Sequence, residues 1–413
     1  MSKKEKLSTD PYKGVRDFYP EDQTFLTWLK NTCGKVVEAS GYVEYHASIL
    51  EPSELYKSKG VANEEIVNEQ TYTFIDRGGR EVTLRPEMTP TVARMVAAKR
   101  RELGFPLRYY SFPNLFRYER PQRGRLREHW QLNVDLFGSR STSAEVEVIA
   151  LAHALMRAFS ATEADFEIRI SSRLFLNNLV RALELSPQNS KTLFGLLDRR
   201  EKMPSEEFTA GLAAIGVPTE SITQVSTPLD VAVLLEQLRA LGVTNAKFDP
   251  SIVRGFDYYT GVVFEVFDLH PENNRALFGG GRYDNLTELF DDEPITGIGF
   301  GMGDVTIHNF LAVRNLLTPY TPNTECYLAV TDKRLVPFAM EIANELREKG
   351  ALIAVDFGDK KLADQIKTAT KHAIQNLIVI GDNEKESAEF VVRNLTTGEE
   401  KKCSRRELIQ CVK

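Results

Sequence analysis

At 413 residues the chain is long enough for two or three domains, each with its own core. It is 42% hydrophobic and 27% charged with a formal net charge of −6, so global basicity does not advertise nucleic acid, and any RNA contact must come from local patches. No apolar run is long enough to cross a bilayer, and four scattered cysteines (Cys33, Cys326, Cys403, Cys411) without a C-x-x-C pair argue against a zinc site or a disulfide framework.

Residues 1–12 read as a polar tail, basic but followed by no apolar core, so no secretory signal is expected and the cytoplasm is the expected compartment. Phe25, Trp28, Leu29, Val36 and Val37 then recur at helical spacing; Gly41 ends that helix and residues 42–50 read as a strand. A hairpin follows over 72–84, turning at Arg77 to Arg80. Pro86 breaks it before a helix beginning near Thr91, and taken alone Glu87 and Thr89 are capping residues. From Leu107 to Phe137 alternation returns. Tyr109, Ser111, Leu115 and Phe116 lead in and Trp130, Leu132, Val134 and Leu136 lead out, which predicts two antiparallel strands. Between them lies an arginine-rich run. On a strand, Arg117 can grip a phosphate or carboxylate with two prongs, and Glu119 shares its face and can accept from an exocyclic amine. The plain alternative is a solvated charge run on a surface hairpin.

A helix over 143–159 and a strand over 166–171 precede leucine-rich helical stretches broken by Pro187, Pro204, Pro218 and Pro228, which read as a small helical insertion. Sheet texture resumes over 246–267 and holds Arg254-Gly255-Phe256-Asp257-Tyr258-Tyr259. A glycine run, Phe278-Gly279-Gly280-Gly281-Arg282-Tyr283-Asp284, comes next, and is on its own equally a bulge or tight turn. Residues 296–307 read as a glycine-rich strand entering an apolar helix, and a proline-containing linker over 317–323 closes this part. The remainder alternates strand and helix, the pattern of a largely parallel sheet covered by helices.

Phe116-Arg117-Tyr118-Glu119, its loop and the exit strand resemble motif 2 of the class II aminoacyl-tRNA synthetases, and Glu119-Arg120-Pro121-Gln122-Arg123-Gly124-Arg125 is similar to the version in the histidyl-tRNA synthetase family. The 254–259 and 279–284 runs resemble that family's histidine-specific motifs, with Phe256 where a leucine is usual. The opening helix and strand resemble motif 1, with Ser48 at the place of its usual proline. The resemblance implies an α+β fold: an antiparallel sheet with flanking helices over 1–171 and 246–318, a helical insertion at 172–245 reaching toward the tRNA acceptor stem, and an α/β anticodon-binding domain over 323–413.

It also implies roles, position by position. Arg117 and Arg254 act on the ATP α-phosphate from opposite sides, and Glu119 takes the adenine amine. Glu87, Thr89 and Gln131 hold the substrate ammonium, while Asp135 and Tyr259 bracket the imidazole and Tyr258 and Tyr283 wall its pocket. Gln122, Arg123 and Arg125 meet the acceptor end of the tRNA. ATP with magnesium on its phosphates, histidine, histidine tRNA and a second copy of the chain are the implied partners; no metal is expected on the protein itself. Motif 3 departs from the family: Val305 and Thr306 stand where Glu-Arg is usual, and the arginine that contacts adenine and the γ-phosphate is missing. Two other readings remain open, a non-catalytic synthetase-like regulatory subunit of ATP phosphoribosyltransferase and a histidine- or tRNA-sensing module.

Overall fold

A computed structural model describes residues 6–58, 69–120, 124–200, 203–253, 258–273, 275–290 and 293–413. The chain forms two compact units, 1–318 and 319–413.

In the first unit the strands, in chain order, are β1 (Val43–Glu44), β2 (Leu50–Pro52), β3 (Tyr72–Ile75), β4 (Glu81–Leu84), β5 (Leu107–Ser111), β6 (Asn114–Phe116), β7 (Glu128–Phe137), β8 (Phe166–Ser172), β9 (Ala246–Phe248), β10 (Val262–Asp268), β11 (Ala276–Tyr283) and β12 (Gly297–Gly303). Among the described residues they build a nine-stranded sheet in the order β1-β5-β7-β12-β11-β10-β8-β9, with β6 also on β7, and a small sheet β2-β4-β3. The large sheet is antiparallel except at its two edges, where β1 pairs with β5 and β9 with β8 in parallel.

Two sequence expectations change here. Residues 42–50 do not make one strand: β1 joins the large sheet and β2 the small one. The lead-in to the arginine-rich run is likewise split, because Pro113 has no N–H for a ladder and separates β5 from β6. Arg117 and Glu119 therefore lie just past a strand end, although Arg117 N still donates to Arg127 O at 2.9 Å.

One face of the large sheet is covered by helices. Leu132, Val134 and Leu136 of β7 and Ile298, Phe300 and Met302 of β12 share a core with the helix Pro20–Ala39 (Leu29, Cys33, Val37), the helix Thr142–Ala158 (Ile149, Ala152, Leu155) and the helix Asp304–Val313 (Ile307, Phe310, Leu311). Burial of this apolar stripe holds the layers together, at roughly 25 cal/mol per Å². The helix Leu229–Ala240 packs on the same core, whereas the helices Arg173–Ala182, Pro187–Asp198 and Ser205–Ala214 cluster around Leu193, Leu196, Phe208 and Leu212. On the opposite face the helix Thr89–Ala98 brings Val92, Ala93 and Val96 against Phe137, Tyr258, Tyr259 and Tyr283.

Buried polar groups fix the frame. The guanidinium of Arg85, 1% exposed, donates to Ala47 O (2.8 Å), Asn114 O (3.0 Å) and Asn114 Oδ1 (3.2 Å), tying three segments around the start of the helix Thr89–Ala98. Arg282, on the glycine-rich strand, pairs with buried Glu145 and donates to Ser139 O (2.9 Å) and Thr296 Oγ1 (2.6 Å), so it locks β11 to its neighbours.

The second unit is a five-stranded sheet: β13 (Cys326–Val330), β14 (Ile353–Val355), β15 (Asn376–Ile380), β16 (Glu389–Asn394) and β17 (Glu400–Ser404), in the order β14-β13-β15-β16-β17. β14, β13 and β15 are parallel and β16–β17 is an antiparallel hairpin. Cys326, Leu328 and Val330 pack on one face and Tyr327 and Ala329 on the other, as strands covered on both sides require.

Candidate active site

Side chains alternate along a strand, so the even residues of β7 that enter the core send His129, Gln131, Asn133 and Asp135 to the opposite face. In register with the last three stand Gly303, Gly301 and Gly299 of β12, and Gly279 and Gly281 of β11 continue the rows. A Cβ on Gly301 would run into the Gln131 amide, and one on Gly299 into the Val134 carbonyl and the Asp135 carboxylate. Polar β7 side chains therefore lean over a floor of bare backbone.

Over that floor a cavity of about 110 Å³ is lined by Glu87, Thr89, Arg117, Gln131, Asn133, Tyr258, Tyr259 and Tyr283 with the glycines. Glu87 is 3% exposed. Its Oε2 accepts from the Tyr258 hydroxyl at 3.3 Å, and its Oε1 has no partner. Burial raises its carboxyl to about 8, against the opposing pull of Arg117 and the Tyr258 hydrogen bond. A buried carboxylate short of a cation suits an ammonium ligand. The Tyr258 ring lies 4.8 Å from Tyr259 and meets Tyr283 edge-on at 5.8 Å, giving the cavity an aromatic wall. The Tyr283 hydroxyl donates to Asp135 Oδ1 at 2.5 Å. Burial lifts the Asp135 carboxyl to about 7, the Tyr283 bond opposing it, and Oδ2 has no partner. Asp135 does not line the cavity; it stands behind Tyr283.

A second cavity of about 290 Å³ shares Arg117, Gln131 and Gly301 with the first and continues past Glu119, Gly124, Arg125, His129, Phe278, Val305 and Thr306. Arg117 is held by a bond from Nε to Pro86 O at 2.9 Å, which leaves its Nη groups for the space between the two chambers. Glu119 lies 3.6 Å from Arg125, and its buried Oε2 has no hydrogen bond. Burial, then Arg117 and Arg16, push His129 down to about 3, so it faces this chamber as a neutral imidazole.

The helix after β12 brings no cation here. Thr306 Oγ1 turns onto Leu277 O at 2.8 Å, and Asp304 is taken by Arg16 (2.6 Å) and Trp130 N (3.0 Å). Arg314 is engaged elsewhere, with Asp268 at 2.6 Å and Asp165 at 3.0 Å.

Glu87, Thr89, Gln131, Tyr258, Tyr259 and Tyr283 thus surround one cavity, with Arg117 on the wall it shares with a second that holds Glu119 and Arg125. Arg254, Gln122 and Arg123 lie outside the described residues. His129 and Asn133 were not singled out from sequence. The signal was there: they continue the period of two through Gln131 and Asp135.

The family model described as histidyl-tRNA synthetase matches residues 14–305, and that of an anticodon-binding domain matches residues 325–413. The chain belongs to the histidyl-tRNA synthetase family. A histidine–tRNA ligase of Leptospira biflexa is 40% identical over all of this chain and 99% of its own length. One from Thermoplasma volcanium is 35% identical over 95% of this chain and 96% of its own. The crystal structure of a histidyl-tRNA synthetase from a Nostoc species shares the fold with a TM-score of 0.82 at 21% identity, covering 98% of this chain and 99% of that one. The class II fold that motif 2 implied is therefore the fold of this histidyl-tRNA synthetase family member, and ATP is a substrate of that family.

Proposed function

We propose that the chain activates histidine with ATP and transfers the histidyl group to histidine tRNA. One observation carries this reading: Arg117 stands on the wall common to an ammonium-seeking, aromatic-walled chamber and a larger chamber beside it. A histidine with its ammonium on Glu87, Thr89 and Gln131 would place its carboxylate toward Arg117. ATP in the neighbouring chamber would bring its α-phosphate to the same guanidinium. A carboxylate oxygen bonds the α-phosphorus while the bond to pyrophosphate breaks, and the electron pair departs with pyrophosphate. Catalysis is positioning plus stabilisation of charge gathering on phosphorus, by Arg117 and, from the other side, Arg254. A hydroxyl of the tRNA's terminal ribose then attacks the histidyl carbonyl and releases AMP.

Tyr259 would meet one imidazole nitrogen, and Asp135 the other side of the ring by way of the Tyr283 hydroxyl. Glu119 would accept from the adenine amine. Glu119 is also the one carboxylate among the described residues lining the second chamber, which fits magnesium carried in on the phosphates rather than held by a protein cage. Arg125, with Gln122 and Arg123, would meet the acceptor end of the tRNA, and residues 325–413 its anticodon. A second copy of the chain would cover β1 and β3, the edge strands where Val43, Phe74 and Ile75 are exposed.

Histidine-dependent exchange of pyrophosphate into ATP tests the reading. Exchange with histidine and not with other amino acids is expected. Histidine binding without exchange would point to a sensor, and neither to a non-catalytic regulatory subunit.

A further inference from the structure

Among the described residues, the second chamber has little positive charge for a triphosphate. Arg117 marks its inner end, Arg125 leans on Glu119 at 3.6 Å, and the helix after β12 contributes only Val305 and Thr306 to the wall. Thr306, at the position of the absent arginine, spends its hydroxyl on the carbonyl of Leu277. Two residues before Leu277 stands Arg275. It is half-buried just before β11, and its side chain reaches across to the returning loop, where a Cβ on Gly124 would run into Arg275 Nη1. Gly124 itself lines the chamber. Its φ of +85° and the approach of the guanidinium independently call for glycine there. The guanidinium thus lies against Gly124, a residue of the chamber wall.

We propose that Arg275 binds the terminal phosphates of ATP and supplies the positive charge that Thr306 cannot. This rests on reading the site as an ATP-dependent, histidine-activating centre. The α-phosphorus must lie at Arg117 to meet the histidine carboxylate, so the β- and γ-phosphates extend onward into the chamber, toward Gly124. There Arg275 neutralises them in the ground state and takes up the charge that arrives as the bond to pyrophosphate breaks. A guanidinium from the residue before β11 does the work of one from the helix after β12, and the space beside Gly124 is what admits it.

Calorimetric titration of the full chain with ATP and with AMP tests this, alongside histidine-dependent exchange. In Arg275→Ala the Kd for ATP should rise about tenfold or more, while the AMP affinity and the KM for histidine change by less than about twofold. Arg275→Lys should recover part of the loss, and adding Thr306→Arg to Arg275→Ala should recover part as well. Equal weakening of ATP and AMP, or a parallel rise in the histidine KM, would assign Arg275 to loop packing and overturn the proposal. So would an unchanged ATP affinity in a variant whose wild type exchanges. A wild-type chain that shows no exchange would overturn the histidine-activation reading as well.

Discussion

At the scale of single residues, the unusual chemistry sits on two carboxyls kept from water. Glu87 is raised from 4.5 to about 8 and Asp135 from 3.8 to about 7, in both cases chiefly by burial. A carboxyl with a raised pKa in the folded state keeps a proton that the unfolded chain releases, so its contribution to stability is full below the unfolded value and is lost as pH rises through the folded one. The ligand-free chain should accordingly lose stability between about pH 4.5 and 8. An arriving ammonium reverses the balance at Glu87 and favours the ionised form. Histidine binding at pH 7 should therefore release most of one proton, read as a dependence of the binding enthalpy on the ionisation enthalpy of the buffer. Glu87→Gln should remove that dependence; a wild type without it would contradict the ammonium role. The identities of Glu87, Tyr258 and Tyr283 were legible in the sequence. Their coupling was not, because the bonds Tyr258–Glu87 and Tyr283–Asp135 join positions 171 and 148 residues apart.

At the scale of elements, the floor of the site depends on glycines at alternate positions of β12. Read locally, Gly279-Gly280-Gly281 is as good a turn as a strand. The ladder pairing of β11 with both β10 and β12 decides for a strand, and pairing partners are remote in sequence. The same remoteness divided residues 42–50 between two sheets. Helices, whose signal is local, were read to within a few residues: Pro20–Ala39 and Thr142–Ala158 lie where apolar spacing put them. Gly301→Ala tests the floor. Its Cβ must displace the Gln131 amide, so the chain should lose about 1–3 kcal/mol of stability and bind histidine roughly tenfold more weakly. Thermal unfolding and calorimetry together read this. Unchanged histidine affinity would mean that Gln131 has no part in holding the ligand.

At the scale of the whole molecule, the site is assembled from two stretches, 84–135 and 258–306, that a sheet of nine strands brings to one face. Motif spacing in the sequence pointed to both stretches, but only the folded sheet makes Arg117 common to two chambers. In the same sheet β11 runs beside the helix after β12, and its Leu277 and Phe278 line the second chamber together with Val305 and Thr306, so a side chain next to β11 is placed to act where the helix has lost its arginine. The direct measurement is single-turnover formation of histidyl-adenylate by Arg117→Ala, with histidine affinity measured in parallel. If Arg117 stabilises charge on the α-phosphorus, the rate should fall by roughly 10²–10³ while the Kd for histidine, whose carboxylate faces the same guanidinium, rises by no more than about tenfold. A rate near that of the wild type, or a loss of histidine binding as large as the loss of rate, would contradict the account.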